Sequence, residues 1–296
     1  MSAQPPKLGR LSSTVSTMIA TYAAAQLLRV LPRERITRAV GTLCEIPLPS
    51  VVASAVVGTF ARAYQVDMDE AVQPDGGYSC FDAFFTRPLR DGARPICSDE
   101  NALVSPADGR IESFGPIERD GSFKIKGRDY TTLDLVGDPV DAHRYEGGQF
   151  AVVYLSPRDY HRVHAPVAGD IAIVRSFPGD LFPVNSIGER HIPMLFARNR
   201  RVAICIDTAT QGRVTVVMVG AIVVGRITVT GIEERDVPIG EHRLEPTIHV
   251  ERGGEIGMFH LGSTAVVFVE PGKAMPWGIQ SGPVRMGQSL HGARVA

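Results

Sequence analysis

The chain has 296 residues, a net charge of −1 and a composition that is 44% hydrophobic and 21% charged. Such a chain can bury a sizeable core, as one large domain or as a domain with an extension, and its balanced charge does not favour a nucleic-acid partner. Its four cysteines are widely spaced, with no C-x-x-C pair and no histidine pair nearby at metal spacing, which argues against a disulfide framework and against a zinc or iron–sulfur site.

The N-terminal part of the chain is basic, whereas the remainder is acidic. Through Gln65 there are seven lysines and arginines against two acidic residues, a net of +5, so the rest carries −6 to give the total of −1. A basic, Ala/Val/Leu-rich leader before an acidic body indicates an anionic partner such as a lipid surface. A helical arm packed on its own body or on a second copy of the chain is an equal alternative, and both can hold.

The first predicted element is a helix over residues 12–31. The uncharged run from Leu11 to Leu28 approaches membrane-spanning length, but its Ser, Thr and Gln residues make it too polar for a span or for a cleaved signal peptide. Four side chains fall on one helical face: Leu11, Val15, Met18 and Tyr22. This pattern predicts an amphipathic segment that lies on a surface.

Three more helices are predicted, over residues 33–43 after the break at Pro32, over residues 50–64, and over residues 79–86. In the last of these we expect Ser79 to be the N-cap and Asp82 to occupy the third helical position, as in a capping box.

From about residue 101 the pattern changes to short β-branched runs separated by Gly and Pro, which predicts a β body. The predicted strands are Ala151–Leu155, Ile171–Phe177, Val202–Ile206, Val214–Val219, Ile222–Val229 and Ala265–Val269. The expected fold class is therefore α+β. A helical region over residues 1–90, for membrane docking or dimerisation, precedes a predominantly antiparallel, barrel-sandwich-like domain over residues 91–296.

The β body contains a short internal similarity. SPADGRI at residues 105–111 aligns with APVAGDI at residues 165–171, and each turn opens a strand. The match suggests a duplicated hairpin, as in barrel-sandwich domains of the lipoyl type, although coincidence is an alternative for two such short matches. A true duplication would bring Asp108 close to the segment that ends at His164.

Three polar motifs supply the groups that activate a serine. LGST at residues 261–264 carries the hydroxyl of Ser263, SPADG carries the carboxylate of Asp108, and YHRVHAP at residues 160–166 carries His161 and His164. A nucleophile, a base that takes its proton and an acid that orients the base are the parts of a catalytic triad. Each motif alone is also typical of ordinary structure, namely a turn serine, an Asx turn or a strand-end histidine.

With FFTRPLR at residues 84–90 before them and PGK at residues 271–273 after them, these motifs resemble the phosphatidylserine decarboxylase family, most closely its bacterial, pyruvoyl-dependent proenzymes. The resemblance extends from about Phe81 to Lys273, with no departure at the motif positions. The residues before Phe81 are similar to the family only in general character.

The resemblance implies that Asp108, His164 and Ser263 form a triad for self-cleavage between Gly262 and Ser263. The hydroxyl attacks the carbonyl of Gly262, whose missing Cβ permits strained backbone conformations. Elimination and loss of ammonia then leave a pyruvoyl group at position 263, so no metal or added cofactor is needed. The products are a β-chain of residues 1–262 and an α-chain of residues 263–296, which stay together as a heterodimer.

The resemblance ties His161 to the decarboxylation step, in which it protonates the carbanion or positions the substrate carboxylate. The sequence leaves the division of roles between His161 and His164 open. For the substrate we expect contacts from Arg87, Arg90, Phe177 and Phe182. The two arginines suit a phosphate, but are also typical of a solvated helix end. The two phenylalanines lie in a loop that either forms a wall for acyl chains or packs on the core.

The activity implied by the resemblance is decarboxylation of phosphatidylserine, through a Schiff base, to phosphatidylethanolamine and carbon dioxide. The heterodimer is expected to dimerise and to lie peripherally on the cytoplasmic face of the cell membrane.

Three alternatives remain: a pyruvoyl decarboxylase of a soluble amino acid, a serine hydrolase built on the same residues, and a non-catalytic barrel-sandwich carrier. The basic leader argues against the first, because a soluble substrate gives no reason for it. A missing G-x-S-x-G elbow at Ser263 argues against the second, and a missing attachment lysine at either hairpin argues against the third.

Overall fold

The computed structural model describes residues 32–184, 186–222, 226–273 and 276–291. The predicted amphipathic helix over residues 12–31 lies outside them. The described helices before the β body are α1 (Arg33–Glu45), α2 (Ser50–Tyr64) and α3 (Phe81–Phe85). Among the residues in these ranges, no helix has the length and the apolar character that crossing a bilayer requires.

Helices α1 and α2 confirm the prediction, but the N-cap predicted for α3 is wrong. The cap is Cys80, whose Sγ accepts the N–H of Ala83 at 3.4 Å. Aromatic packing then fixes α3 against α2. The ring of Phe60 meets those of Phe81 and Phe84 edge-on, with centroids 5.0 and 5.8 Å apart. This contact holds the start of the FFTRPLR motif against the helical region.

The β body is built on an antiparallel eight-stranded sheet with the order β10-β6-β7-β8-β12-β4-β1-β13. Its strands are β1 (Gly109–Pro116), β4 (Gln149–Tyr154), β6 (Gly169–Phe177), β7 (Arg201–Asp207), β8 (Arg213–Val219), β10 (Gly240–Val250), β12 (Thr264–Val269) and β13 (Gly282–Val284). The central strands are buried almost throughout, which explains why they are continuous apolar runs in the sequence.

A three-stranded sheet packs beside the large one in the order β5-β11-β9, and β2 pairs with β3. These strands are β2 (Ser122–Ile125), β3 (Arg128–Thr131), β5 (Arg162–His164), β9 (Ile227–Val229) and β11 (Glu255–Phe259). Short helices connect strands of the described body: α4 (Thr132–Val136), α5 (Pro139–Arg144), α6 (Ser186–His191) and α7 (Leu195–Arg198).

The α+β class and the mostly antiparallel body are confirmed. Five predicted strands match observed ones to within two residues at each end: β4, β6, β7, β8 and β12. Several details differ. We did not predict the strands β2, β3, β5, β11 and β13 or the short helices α4–α7. The large sheet stays open, with β10 and β13 at its edges, so it does not close as a barrel. The strand predicted from Ile222 begins only at Ile227. The sequence also gave no indication of β10, because that edge strand is mostly exposed and polar.

Candidate active site

Two connections between the larger sheets lie side by side and form the centre of the site. Residues 155–161 lead from β4 to β5, and residues 260–263 lead from β11 to β12. Because β4 pairs with β12 and β5 with β11, the connections cross the same gap in opposite directions. The N–H of Leu155 donates to the carbonyl of Ser263 at 2.8 Å, and the N–H of Phe259 donates to that of His161 at 2.9 Å. Strand pairing therefore holds Leu155 opposite Ser263 and His161 opposite Phe259, at the two ends of the connection that contains the predicted cleavage position.

The backbone before the predicted cleavage position is strained. Leu261 has a φ of 100°, a value that costs a residue with a side chain about 1–3 kcal/mol. At Gly262, an added Cβ would lie 3.2 Å from Nε2 of His161 and 3.4 Å from the carbonyl oxygen of Leu155. Glycine at this position therefore allows the connection to lie directly against the imidazole.

The hydroxyl of Ser263 is buried and has no hydrogen-bond partner in the described part of the chain. Leaving a buried hydroxyl unpaired costs about 1–3 kcal/mol, so such groups are uncommon in folded proteins. Its burial against strained backbone distinguishes Ser263 from an ordinary turn serine, whose hydroxyl faces water or caps a turn.

His161 is completely buried and presents a free nitrogen. Its Nδ1 lies 2.7 Å from the carbonyl oxygen of Asp159. Because a carbonyl only accepts, Nδ1 carries the proton and Nε2 is the acceptor. Nε2 has no hydrogen-bond partner among the described residues. Burial lowers the pKa of His161 to about 3, so the ring is neutral near pH 7, and the ring of Phe85 packs on it at 4.1 Å between centroids.

His164 is held differently, because both of its nitrogens are hydrogen-bonded. Nδ1 lies 2.8 Å from the carbonyl oxygen of Gly253, and Nε2 lies 3.1 Å from the hydroxyl of Tyr160. Burial raises the pKa of Tyr160, so this hydroxyl remains a donor to Nε2. Burial also lowers the pKa of His164, which keeps the ring neutral.

The carboxylate of Asp108 is bound by an arginine. The Nε of Arg94 lies 2.8 Å from Oδ1 and its Nη2 lies 2.5 Å from Oδ2, while the N–H of Met286 donates to Oδ1 at 2.8 Å. Arg94 also pairs with Glu70 at 2.7 Å. Asp108 thus joins the start of β1 to the C-terminal segment.

The structure brings the three predicted motifs to one region, but it does not connect all of their side chains. The N–H of His164 donates to the carbonyl of Pro106 at 2.8 Å, so the SPADG and YHRVHAP segments lie side by side, as the internal similarity suggests. Within the described residues, no hydrogen bond joins Asp108 to His164, or either of them to Ser263. The imidazole placed against Gly262 is that of His161.

An apolar cavity of about 300 Å³ reaches the predicted cleavage position, and we call it the apolar cavity. Its lining includes Phe60 and Tyr64 of α2, Phe85 of α3, and Gly262. A cavity that extends from a strained peptide to the exposed side chain of Tyr64 suits an elongated apolar ligand.

A second cavity, of about 230 Å³, is also lined by the connection from β4 to β5, and we call it the polar cavity. Arg158, Asp159 and Tyr160 line it, together with Arg87 and Asp108. Residues of this one connection therefore line both an apolar space that includes Gly262 and a polar space that includes Asp108.

The other predicted substrate residues lie outside the apolar cavity. Arg90 is exposed, and its Nε donates to the carbonyl of Ala71 at 3.2 Å. Phe182 is buried under the guanidinium of Arg33, whose Cζ lies 3.9 Å from the ring centroid. Phe177 packs beneath Arg201 at 4.6 Å. Within the described ranges, no cluster of three or more His, Cys, Asp or Glu side chains is arranged to hold a metal ion.

Three features of the site could not be identified from the sequence: Arg94, Tyr160 and the backbone of Leu261. Arg94 stands in no recognisable motif, and its pairing with Asp108 depends on tertiary structure. Tyr160 is the first residue of the YHRVHAP motif, and its place in that motif was the signal that could have pointed to a role in the site. Leucine gives no indication of a positive φ, because it rarely adopts one.

A sequence model of the phosphatidylserine decarboxylase family matches residues 81–292 of the chain. The phosphatidylserine decarboxylase proenzyme of Pseudomonas fluorescens strain Pf-5 is 42% identical over 274 residues, which cover 88% of this chain and 94% of the relative. The proenzymes of Shewanella halifaxensis and Bordetella avium are 40% and 41% identical, over 80% and 88% of this chain and 86% and 90% of their own lengths. The region matched by the family includes every motif described above.

Proposed function

Because this chain belongs to the phosphatidylserine decarboxylase family, and is therefore a carboxy-lyase, we propose that it converts phosphatidylserine to phosphatidylethanolamine and carbon dioxide. The observation that carries the proposal is the connection from Leu261 to Ser263. There a strained residue, a glycine against an imidazole, and a buried, unpaired hydroxyl follow one another. These are the features that a self-processing serine requires, and the relatives are named proenzymes.

We infer that the chain cuts itself between Gly262 and Ser263. The hydroxyl oxygen of Ser263 bonds to the carbonyl carbon of Gly262, the peptide C–N bond breaks, and the hydroxyl proton passes through a base to the freed amine. The Cα proton of Ser263 is then removed as the ester oxygen leaves with the carboxylate of Gly262, which gives dehydroalanine. Addition of water and loss of ammonia convert that residue to pyruvoyl. Strain at Leu261 and the unpaired hydroxyl favour the first step, because cleavage releases both.

For the base of this cleavage we retain the proposed triad of Asp108, His164 and Ser263. His164 is neutral and its Nε2 is an acceptor, as a general base requires. In the uncut chain that nitrogen accepts from Tyr160, so His164 must exchange this hydrogen bond for one with Ser263. Asp108 acts in this scheme through the segment that it fixes beside β5.

His161 is the residue that we propose for the decarboxylation itself. Its Nε2, which has no partner among the described residues, lies beside position 262 and is buried, which suits a group that accepts a proton from the substrate ammonium and later returns it to the α-carbon. The low pKa keeps Nε2 unprotonated at neutral pH, and therefore available as an acceptor, but it also makes the ring a weak base for the first transfer. Accumulating positive charge on the buried ring makes the second transfer favourable.

Position 263 fits a pyruvoyl group. The carbonyl of residue 263 is held by the N–H of Leu155, the side chain has no competing hydrogen bond, and the apolar cavity gives access at Gly262. When present there, such a group supplies an electron sink for the pair of electrons left when carbon dioxide departs.

We expect the α-chain of residues 263–296 to remain bound after cleavage. Strand β12 lies between β8 and β4, and all six of its residues are buried. Strand β13 pairs with β1, and the N–H of Met286 donates to Asp108. The cut would therefore break one peptide bond without removing a strand from the sheet.

We further propose that residues 1–90 dock peripherally on the cytoplasmic face of the cell membrane, while residues 91–296 form the catalytic domain. Val51, Val52 and Val56 of α2 are exposed, the first by 80%. On the same helix Phe60 and Tyr64 line the apolar cavity. A lipid could therefore pass from an apolar surface to Gly262 along one helix. Dimerisation through this region is part of the same proposal.

The first test is the intact mass of the purified protein under denaturing conditions. We expect chains of residues 1–262 and 263–296, the smaller one lighter by ammonia than a peptide that begins with serine. Turnover of phosphatidylserine in mixed micelles is the second measurement. A folded but uncut chain would overturn the proposed cofactor. Turnover of free serine or aspartate without lipid would instead indicate a decarboxylase of soluble amino acids.

A further inference from the structure

Arg87 is a buried cation with unmade hydrogen bonds. Only 3% of the residue is exposed, and its Nη2 donates to the carbonyl of Arg158 at 3.2 Å. Nε and Nη1 have no hydrogen-bond partner in the part of the chain that the structure describes. Burial lowers the pKa of Arg87, but guanidinium groups stay protonated in proteins. A buried charge in this state destabilises a fold, so its presence indicates a ligand.

No acidic side chain of the described residues forms an ion pair with Arg87. Among the other arginines that line the polar cavity, Arg94 and Arg285 pair with Glu70 at 2.7 Å, and Arg158 lies 3.8 Å from Asp159.

The two carboxylates that act most strongly on the charge of Arg87, those of Asp108 and Asp159, are hydrogen-bonded to other groups. Oδ2 of Asp159 accepts both the N–H and the hydroxyl of Ser156 at 2.7 Å, and Asp108 is bound by Arg94. The cavity therefore offers space beside one cation whose charge the protein does not neutralise.

Arg87 is held close to the reacting centre by its neighbours in the chain. The ring of Phe85 packs on His161, and the carbonyl of Thr86 accepts from Nε of Arg162 at 2.9 Å. The positive charge of Arg87 also contributes to lowering the pKa of His161. A group bound by Arg87 would thus lie within the length of a lipid headgroup from His161.

We propose that Arg87 binds the phosphodiester of the substrate headgroup through its free guanidinium N–H groups, an inference that rests on the proposed function. In phosphatidylserine only the β-carbon and the ester oxygen separate the α-carbon from phosphorus, so a phosphate at Arg87 places the serine moiety toward His161. The substrate carboxylate is the less suitable partner. Its charge disappears as carbon dioxide forms, so a guanidinium bound to it would stabilise the ground state more than the transition state.

The test uses soluble headgroups as competing ligands of the mature enzyme. Glycerophosphoserine and glycerophosphoethanolamine share the phosphodiester, but only the first has a carboxylate. In Arg87→Met we expect the inhibition constants of both to rise about 10- to 100-fold. The matched control is Arg119→Met, at an exposed arginine between β1 and β2, which should change neither. Weaker binding of glycerophosphoserine alone, or of neither compound, would overturn the proposal.

Thermal unfolding separates ligand binding from a structural role. Removing an unpaired buried charge should leave the melting temperature of Arg87→Met unchanged or raise it, with processing at position 263 complete. A lower melting temperature together with unchanged inhibition constants would show that the cation is structural. Should Arg87→Met fail to fold, Arg87→Lys replaces it, and both probes should again bind more weakly because the planar guanidinium is lost. Wild-type protein that is uncut or inactive would refute the proposed function, whereas active wild type beside an unaffected Arg87→Met refutes only this inference.

Discussion

The connection Leu261–Ser263 and the strand β12 that follows it are neighbours in the chain with opposite character. In the strand every residue pairs on both sides, Val266 for example with Val152 and Val217. The connection has a strained φ at Leu261 and an unpaired hydroxyl at Ser263. Within the strand, only the hydroxyl of Thr264 is also buried without a partner. Regular pairing on one side of a peptide bond thus holds strain on the other, since the strand prevents the connection from relaxing.

The largest difference between the connection and the strand is expected when one buried side chain in each is replaced. Ser263→Ala should abolish cleavage completely, because the nucleophile is gone, while the free energy of unfolding is unchanged or higher because an unpaired hydroxyl is removed. Val267→Ala in β12 should do the opposite, with complete cleavage and a loss of about 2 kcal/mol through the cavity that it leaves. Denaturing mass spectrometry and urea unfolding measure both. Cleavage in Ser263→Ala would place the reactive group elsewhere.

Substitution of each histidine tests which of the two takes part in cleavage and which takes part in decarboxylation. His164→Ala should leave an uncut chain. His161→Ala should still be cut but should decarboxylate about 10²- to 10⁴-fold more slowly, the usual contribution of a general acid or base. Single-turnover decarboxylation and intact mass separate the outcomes. Because Nε2 of His161 lies against Gly262 while that of His164 is bound by Tyr160, an uncut His161→Ala beside a processed His164→Ala would show that the roles are reversed.

The same contrast explains what the sequence could predict. Strand β12 is a continuous apolar run and LGST a run of small residues, so both were visible, and the α+β class followed from such patterns. The edge strand β10 was not visible because exposed strands need no apolar face. Cys80 was missed as a cap because sulfur rarely serves as one.

The chemical state of the site depends on contacts that no local pattern encodes. The hydrogen bond between Tyr160 and His164, and the pairing of Asp108 with Arg94, arise from how the connections cross between the sheets. The motifs therefore predicted the residues of the candidate site, and only the fold showed which nitrogen has no partner among the described residues.

Acidification provides a graded test of the buried imidazole. Burial lowers the pKa of His161 from 6.5 to about 3, so the unfolded chain binds this proton first. The stabilising contribution is complete above pH 6.5 and is lost as the pH falls from 6.5 toward 3. Between pH 7.5 and 5 the loss from this group alone is about 2 kcal/mol.

The measurement compares urea unfolding at these two pH values in chains that also carry Ser263→Ala, so that every sample is uncut. His161→Gln should lose less stability on acidification than the parent by about that amount. His143→Gln, at an exposed histidine, is the matched control and should behave like the parent. Equal acid sensitivity of the parent and His161→Gln would mean that the imidazole of His161 is exposed to water in solution.

Gly262→Ala should have the smallest effect on stability, and it tests the fit between the connection and His161. Replacing glycine by alanine usually stabilises a protein by about 0.4–1 kcal/mol, because the unfolded chain loses freedom. Gly41→Ala in α1, where an added Cβ meets nothing within 4 Å, should show this gain in full. At Gly262 the gain is opposed by contact with Nε2 of His161, so we expect no net change in the free energy of unfolding. The displaced imidazole should slow decarboxylation roughly tenfold, since catalysis depends on its position. A full stability gain with unchanged turnover would show that the connection relaxes away from His161, and that the strain at Leu261 is not maintained by this contact.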